Sequence, residues 1–192
     1  MVDPIFDDGF TSGSDPRVDV IETDDLTGAQ RVAIIEVCVA AHRSENFRDL
    51  FSYTTDGARH FLGWRGDELV SHAMVTTRWL EPSGCGVLRT GFVDAVSTLP
   101  AAQGLGYASA VMRELAGSID DYEVGCLQTD IPSFYERLGW QLWQGGLSGR
   151  GDEGLIPTPG QRGVMVLALA HTPRLDVTVD LSIEVQPERI WD

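Results

Sequence analysis

The chain has 192 residues, 43% hydrophobic and 22% charged, which suits one well-buried globular core and excludes a disordered or fibrous polymer. Its 14 cations are all arginine, set against 29 acids for a formal charge of -15, so a basic face for gripping nucleic acid is excluded. No apolar run reaches the roughly 18 residues of a membrane span, and the acidic start over residues 1–15 does not have the pattern of a secretory leader.

Cys38, Cys85 and Cys126 have neither the pairing of a disulfide framework nor metal-ligand spacing, which points to a reducing cytoplasm and no bound metal. The acidity reads either as a solubility surface or as a field that draws in cationic substrates, and charge alone does not separate the two.

Residues 1–17, rich in Asp, Gly, Ser and Pro, are expected to be a flexible tail before a single domain over 18–192. A first strand is expected over 18–22. Thr27 can cap a helix over 28–42 with Val32, Ile35 and Val39 on one face. Residues 44–51 read as a short helix or a loop. Two β-like runs, 60–64 and 69–78, flank the turn Arg65-Gly66-Asp67 and predict a hairpin, and 86–98 reads as a long strand closed by Pro100.

A Gly-rich turn then leads into a helix over 107–119 with Ala108, Val111, Met112 and Leu115 on one face. Residues 125–129 suggest a short strand, and Pro132 can open a helix that stops at Gly139. Further strands are expected over 140–143, 164–170 and 175–185, separated by a Gly/Pro-rich stretch over 145–163. Strands outnumber helices around one central strand–turn–helix–strand unit, which predicts an α+β fold of α/β type with a mixed sheet.

The turn Gln103-Gly104-Leu105-Gly106-Tyr107-Ala108 carries the clearest chemistry. Glycines there let backbone N–H groups approach a ligand, and the following helix start adds the positive end of its dipole, so the turn suits a pyrophosphate without any lysine. A dinucleotide fold would need a third glycine where Ser109 stands, and a Walker loop would need a lysine.

In this setting the segment resembles the GNAT N-acetyltransferases, whose pattern Gln/Arg-x-x-Gly-x-Gly/Ala is met by Gln103, Gly106 and Ala108. The resemblance implies a mostly antiparallel mixed sheet, splayed at an acetyl-CoA site and flanked by helices. The backbone of Val96, Ser97 and Thr98 would line pantetheine, and Gln103, Gly104, Leu105, Gly106, Tyr107, Ala108 and Ser109 would hold the pyrophosphate. Downstream, Phe134-Tyr135-Glu136-Arg137-Leu138-Gly139-Trp140 is similar to the family segment whose tyrosine lies near the thioester sulfur. An acid is needed there to protonate the departing thiolate. Tyr135 is therefore the expected acid, with a packed aromatic as the plainer alternative; Phe134 and Leu138 read as core.

From His60 onward the chain is also similar to the aminoglycoside 2′-N-acetyltransferases, through Gly63 to Gly66, Ser71 to Val75, Leu88 to Val96, Tyr135 to Trp140 and the terminal Ile190-Trp191. That resemblance places Asp94, where the family has Glu, at the acceptor amine as proton acceptor through water; a solvated or hairpin-pairing Asp is the alternative. It also implies substrate contacts from Glu45, Asp49, Gln128 and Trp191, with Phe47 and Trp79 in an aromatic wall; a solvated helix face is the alternative for Glu45 and Asp49. Asp192 follows the terminal tryptophan and shifts its carboxylate. His60 and His72 read as strand-packing residues, and Cys126 as a small buried residue before an acyl-cysteine.

Two departures bear on the substrate: Arg162 and Arg189 stand where the family carries acids. They point toward an aminocyclitol with its own negative group, such as kasugamycin, and toward resistance as the outcome. A homodimer is compatible with the family. Another small amine, a protein N-terminus, or a non-catalytic acetyl-CoA-binding regulator are the competing readings, and Asp94 with Tyr135 argues against the last.

Overall fold

The computed structural model describes residues 16–55, 57–186 and 189–191, so the expected tail up to residue 15 and the terminal Asp192 lie outside the described residues. Arg17, assigned to that tail from the sequence, instead opens β1 (Arg17–Glu22), which pairs antiparallel with β2 (Arg59–Arg65). The turn at Gly66 (φ 61°) then returns the chain as the long β3 (Glu68–Pro82), and β4 (Leu88–Thr98) runs back along it.

Helix α3 (Tyr107–Ser118) carries the chain over to β5 (Val124–Gln128), parallel to β4. After α4 (Pro132–Glu136) and β6 (Gln141–Leu142) come β7 (Leu147–Gly151), β8 (Gly154–Pro157), β9 (Val164–Ala168) and β10 (Leu181–Glu184). The ten strands among the described residues form one mixed sheet in the order β6-β9-β5-β4-β3-β10-β7-β8, with β2 and then β1 joined to the other part of the β3 edge that carries β10.

Successive strand residues point to opposite faces of a sheet, and β2 and β3 sort their side chains that way. Phe61, Ala73 and Val75 face a core completed by Val111, Met112 and Leu115 of α3 and by Tyr135 and Trp140. Leu62 and Met74, one residue away, face the opposite core with Ile34, Val37 and Cys38 of α1 (Gly28–His42). Farther along that second face, Leu80, Phe92, Cys126, Leu181, Ile183 and Trp191 make a third cluster. Both ends of the face are thus covered, one by α1 and the other by the C-terminal segment. Among the described residues no helix is long and apolar enough to cross a membrane.

Three further sequence expectations are corrected. Helix α1 has the expected bounds and is started by a capping box between Thr27 and Gln30, but it buries Ile34, Val37 and Cys38, leaving Val32 60% exposed. Every residue over 32–41 except Glu36 is apolar, so periodicity offers several faces and the sheet selects one.

The stretch 145–163 contains the β7–β8 hairpin, because β10 pairs with β7 in parallel and holds a glycine-rich segment extended despite its low strand propensity. Of the strand expected over 175–185, only Leu181–Glu184 forms. Upstream, the Asp176 carboxylate accepts from the N–H and hydroxyl of Thr178 in a tight turn, and Trp143 Nε1 donates to Val179 O.

Candidate active site

Strands β4 and β5 stay paired only from Thr90–Val93 against Val124–Leu127. Beyond Val93, β4 keeps β3 on one edge, through Asp94, Ser97 and Thr98, and has no strand on the other among the described residues. Unpaired backbone N–H and C=O groups on a strand edge are ready partners for an amide-bearing ligand. Two clefts meet the ends of this open stretch, one containing Thr98 and the other Asp94.

The first cleft, about 540 Å³, lies between the start of α3 and α4. Gln103, Gly104, Gly106, Tyr107, Ala108 and Ser109 line it with Thr98, so most of the expected loop is gathered there. Gln103 also ties the loop to the strand by donating from Nε2 to Thr98 O at 3.2 Å. Gly106 is the N-cap of α3 with φ 90°, a conformation that excludes most side chains, and no side chain caps the helix. The first-turn N–H groups of α3 therefore remain available to an anion. A Cβ built on Gly104 or Gly106 would meet nothing within 4 Å, which leaves room for a bulky phosphate.

Leu105 is 61% exposed and borders an adjoining groove rather than this cleft. Val96 packs on the α3-side core, and the Ser97 side chain is buried, with its hydroxyl on Ala95 O and His42 Nε2. These two residues can contribute to the cleft through the strand backbone alone.

Arg113 and Arg137 also line this cleft and escaped the sequence reading. Arg113 falls two turns after Gly106 on the same side of α3, and Arg137 falls one turn after Phe134; that spacing was the available signal.

Tyr135 is 5% exposed and lines neither cleft. Burial pushes its phenol up to about 12, and a hydrogen bond with Thr129 draws it partly back.

The second cleft, about 590 Å³, lies on the opposite side of the split. Phe92, Val93, Asp94 and Gln128 come from the sheet, Ser44, Asn46, Phe47 and Tyr53 from the 3-10 turn and short helix α2 (Leu50–Tyr53), and Arg189 and Trp191 from the C-terminal segment. Asp94 Oδ2 accepts from Arg189 Nη2 at 3.3 Å, and Asp94 Oδ1 accepts from Ala95 N at 2.6 Å. Arg189 Nε is buried and has no partner among the described residues. Burial, with the Asp94 charge second, pushes the Tyr53 phenol up.

Of the residues expected at the acceptor, Asp94, Gln128, Arg189, Trp191 and Phe47 come together here, while Glu45, Asp49, Arg162 and Trp79 do not line the cleft. Glu45 accepts from Arg48 Nε at 2.6 Å on an exposed surface. Asp49 ends the 3-10 turn, with its carbonyl accepting from Ser52. Arg162 donates to Pro159 O and Gln161 O in its own loop, and its carbonyl accepts from Gln128. Trp79 is 44% exposed elsewhere on β3. Tyr53, Ser44, Asn46 and Phe92 were not foreseen.

Cys126 and Cys38 are fully buried and Cys85 is partly exposed. Burial pushes the thiols of both buried cysteines up, Cys38 to about 12.

Comparison with known proteins gives this geometry a context. Residues 21–143 match the family described as "Acetyltransferase (GNAT) domain". An aminoglycoside 2′-N-acetyltransferase from Mycolicibacterium fortuitum is 27% identical over 181 residues, covering 90% of each chain. Among solved structures, a GNAT-family N-acetyltransferase (YhbS) from Escherichia coli, in complex with CoA, superposes with a TM-score of 0.63 at 14% identity over 91% of this chain and 93% of its own. A GCN5-related N-acetyltransferase from Kribbella flavida gives a TM-score of 0.52 at 19% identity over 67% of this chain, which spans only 34% of that longer protein. At such identities the structural likeness shows a common fold: a mixed sheet splayed beside a glycine-rich turn and flanked by helices.

Proposed function

Since the chain belongs to the GNAT acetyltransferase family, we propose that it moves the acetyl group of acetyl-CoA onto an amino group of an aminoglycoside or aminocyclitol held against Asp94. The observation that carries this reading is the pair of clefts meeting at the two ends of the open β4 edge. One has the uncapped helix start and open glycines that a pyrophosphate needs, and the other has a carboxylate ringed by aromatic and polar groups.

Acetyl-CoA supplies an acetyl thioester whose transfer to an amine frees the CoA thiol. In this reading the α3 start, Gln103, Gly104 and Gly106 would hold the pyrophosphate, with Arg113 and Arg137 as nearby cations, and the backbone of Val96 to Thr98 would offer its open edge to the pantetheine amides. Asp94 turns its remaining lone pairs toward the acceptor and takes the ammonium proton, directly or through water, because a protonated amine has no lone pair with which to attack. Tyr135, kept protonated by burial, would be the residue that supplies a proton to the CoA sulfur, reaching it from behind the cleft wall that Phe134 and Leu138 line.

The finer substrate proposal is the 2′-amine of a kasugamycin-like aminocyclitol, with resistance as the consequence and a cytoplasmic setting. Arg189 supports it: a cation already seated on Asp94 competes with a polycationic drug but welcomes a substrate bearing its own carboxylate-like group. Free-thiol release from acetyl-CoA, measured against a panel of amines that includes kasugamycin, tobramycin, a polyamine and a peptide N-terminus, tests the reading. Turnover of the aminocyclitol class is expected; release with the polyamine or the peptide alone would overturn it.

A further inference from the structure

We infer that His72, backed by His60, is a positioning pair that fixes the β4 bulge and thereby aims Asp94 into the acceptor cleft. The inference rests on the acetyl-transfer reading for its kinetic consequence, though not for its geometry.

The bulge is visible in the register. Met74 faces Asp94 and His72 faces Ser97, so Ala95 and Val96 together stand opposite the single residue Ala73. Ala95 adopts φ 51°, a left-handed conformation that costs any residue with a Cβ. Its peptide groups are then held from both sides. The N–H donates to the Asp94 carboxylate, and the C=O accepts from His72 Nδ1 at 3.1 Å and Ser97 Oγ at 3.1 Å.

The chemistry of the partners fixes the direction of the whole chain. A carbonyl only accepts, so His72 Nδ1 carries the proton and His72 Nε2 is an acceptor. His60 Nδ1, 3.0 Å from that Nε2, must therefore donate, and His60 Nε2 in turn accepts from the Thr23 hydroxyl at 3.0 Å. The Thr23 hydroxyl also stands 3.0 Å from Ala58 O, but that carbonyl already accepts from Thr23 N–H at 2.9 Å, so with His60 Nε2 unprotonated the single hydroxyl proton is assigned to the imidazole. All four ring nitrogens of two fully buried imidazoles are thus satisfied in the neutral state.

Burial, reinforced by Arg31, lowers His60 to about 4, and burial with His60 beside it lowers His72 to about 3. The other titratable group at hand is the Cys38 thiol, 3.7 Å from His72 Nδ1 and itself protonated.

Apolar side chains would fill this space at less desolvation cost but would leave the bulge carbonyl without its imidazole donor. The pair therefore supports the strained residue that follows Asp94. Without it, Ala95 can relax toward negative φ and carry the carboxylate away from Arg189 and the cleft.

The test compares His72→Leu with His72→Asn, because the Asn amide nitrogen sits near the place of Nδ1 and can still donate to Ala95 O. His72→Leu should lower kcat for the acceptor by on the order of 10²-fold, the cost of an ångström-scale misplacement, while acetyl-CoA affinity changes within about threefold. His72→Asn should recover to within roughly threefold of the parent enzyme. Equal activity in the two variants, whether intact or impaired, overturns the inference.

Nitrogen-15 NMR of the unmodified protein near pH 6 gives a second measurement, independent of variant folding. Neutral Nδ1–H imidazoles at both His60 and His72 are expected, and an Nε2–H imidazole at His72 overturns the inference. A protein that shows both Nδ1–H signals but acetylates no amine supports the pair and overturns the acetyl-transfer reading instead.

Discussion

Tyr135 meets Phe134 and Trp140 edge-on, with ring centroids 4.9 and 6.3 Å away, so deleting its hydroxyl leaves the packing of the ring in place. If Tyr135 is the proposed acid, Tyr135→Phe should lower kcat by on the order of 10²-fold with little change in KM for acetyl-CoA, because such a hydroxyl acts as charge gathers on sulfur. Steady-state kinetics in both substrates check this. Arg189 makes the second prediction at this scale. Its guanidinium is mostly buried against Asp94, so a matching charge on the substrate is worth roughly 10- to 100-fold in affinity. Arg189→Asp should move kcat/KM away from kasugamycin and toward tobramycin, whereas Arg162→Asp should leave the ratio unchanged, since Arg162 spends its donors on its own loop. The local sequence singled out Tyr135 through its neighbours but did not show that its side chain is buried outside both clefts, and the Asp94–Arg189 pairing spans 95 positions and leaves no local trace. Glu45 and Asp49 illustrate the same limit: an acid near the cleft in sequence can point its carboxylate elsewhere.

The α3 start and its glycine turn were the most legible elements, because a strand, a closing proline and a helical repeat bracket them within some 30 residues. Gly106→Val should reduce acetyl-CoA affinity by more than about 100-fold, by filling the anion seat and by forcing a β-branched residue to φ 90°. The left-handed strain alone costs roughly 1–2 kcal/mol, so a modest fall in melting temperature is expected without loss of the fold. Calorimetric titration of the folded variant decides it, and unchanged affinity would remove the loop from the cofactor site. The β7–β8 hairpin was illegible for the opposite reason. Its extended form is imposed by β10, which is far away in sequence, and its own residues argue for a loop. The bulge at Ala95 belongs with it, since nothing in an alanine announces a positive φ.

At the scale of the molecule, the buried histidines couple stability to pH. Both fold with values lowered from 6.5, to about 4 and about 3, so the unfolded chain binds more protons than the native one between those limits. Their contribution is therefore complete above about pH 6.5 and is lost as the pH falls toward 3. Urea midpoints should drop across that window, and the drop should shrink in His60→Gln; a midpoint independent of pH from 6.5 to 4 would contradict the burial of the pair. The two ends of one sheet face hold the buried thiols. Cys38 is on the buried side of α1 and Cys126 lies beneath the C-terminal segment, which leaves Cys85 as the partly exposed cysteine. A disulfide dye that captures released CoA will meet that sulfur as well, so the resting protein should consume one equivalent promptly and Cys85→Ser should give a silent baseline. The second and third equivalents should arrive only as fast as each end of that face opens, which turns the same dye into a clock for two separate breathing motions of the enzyme.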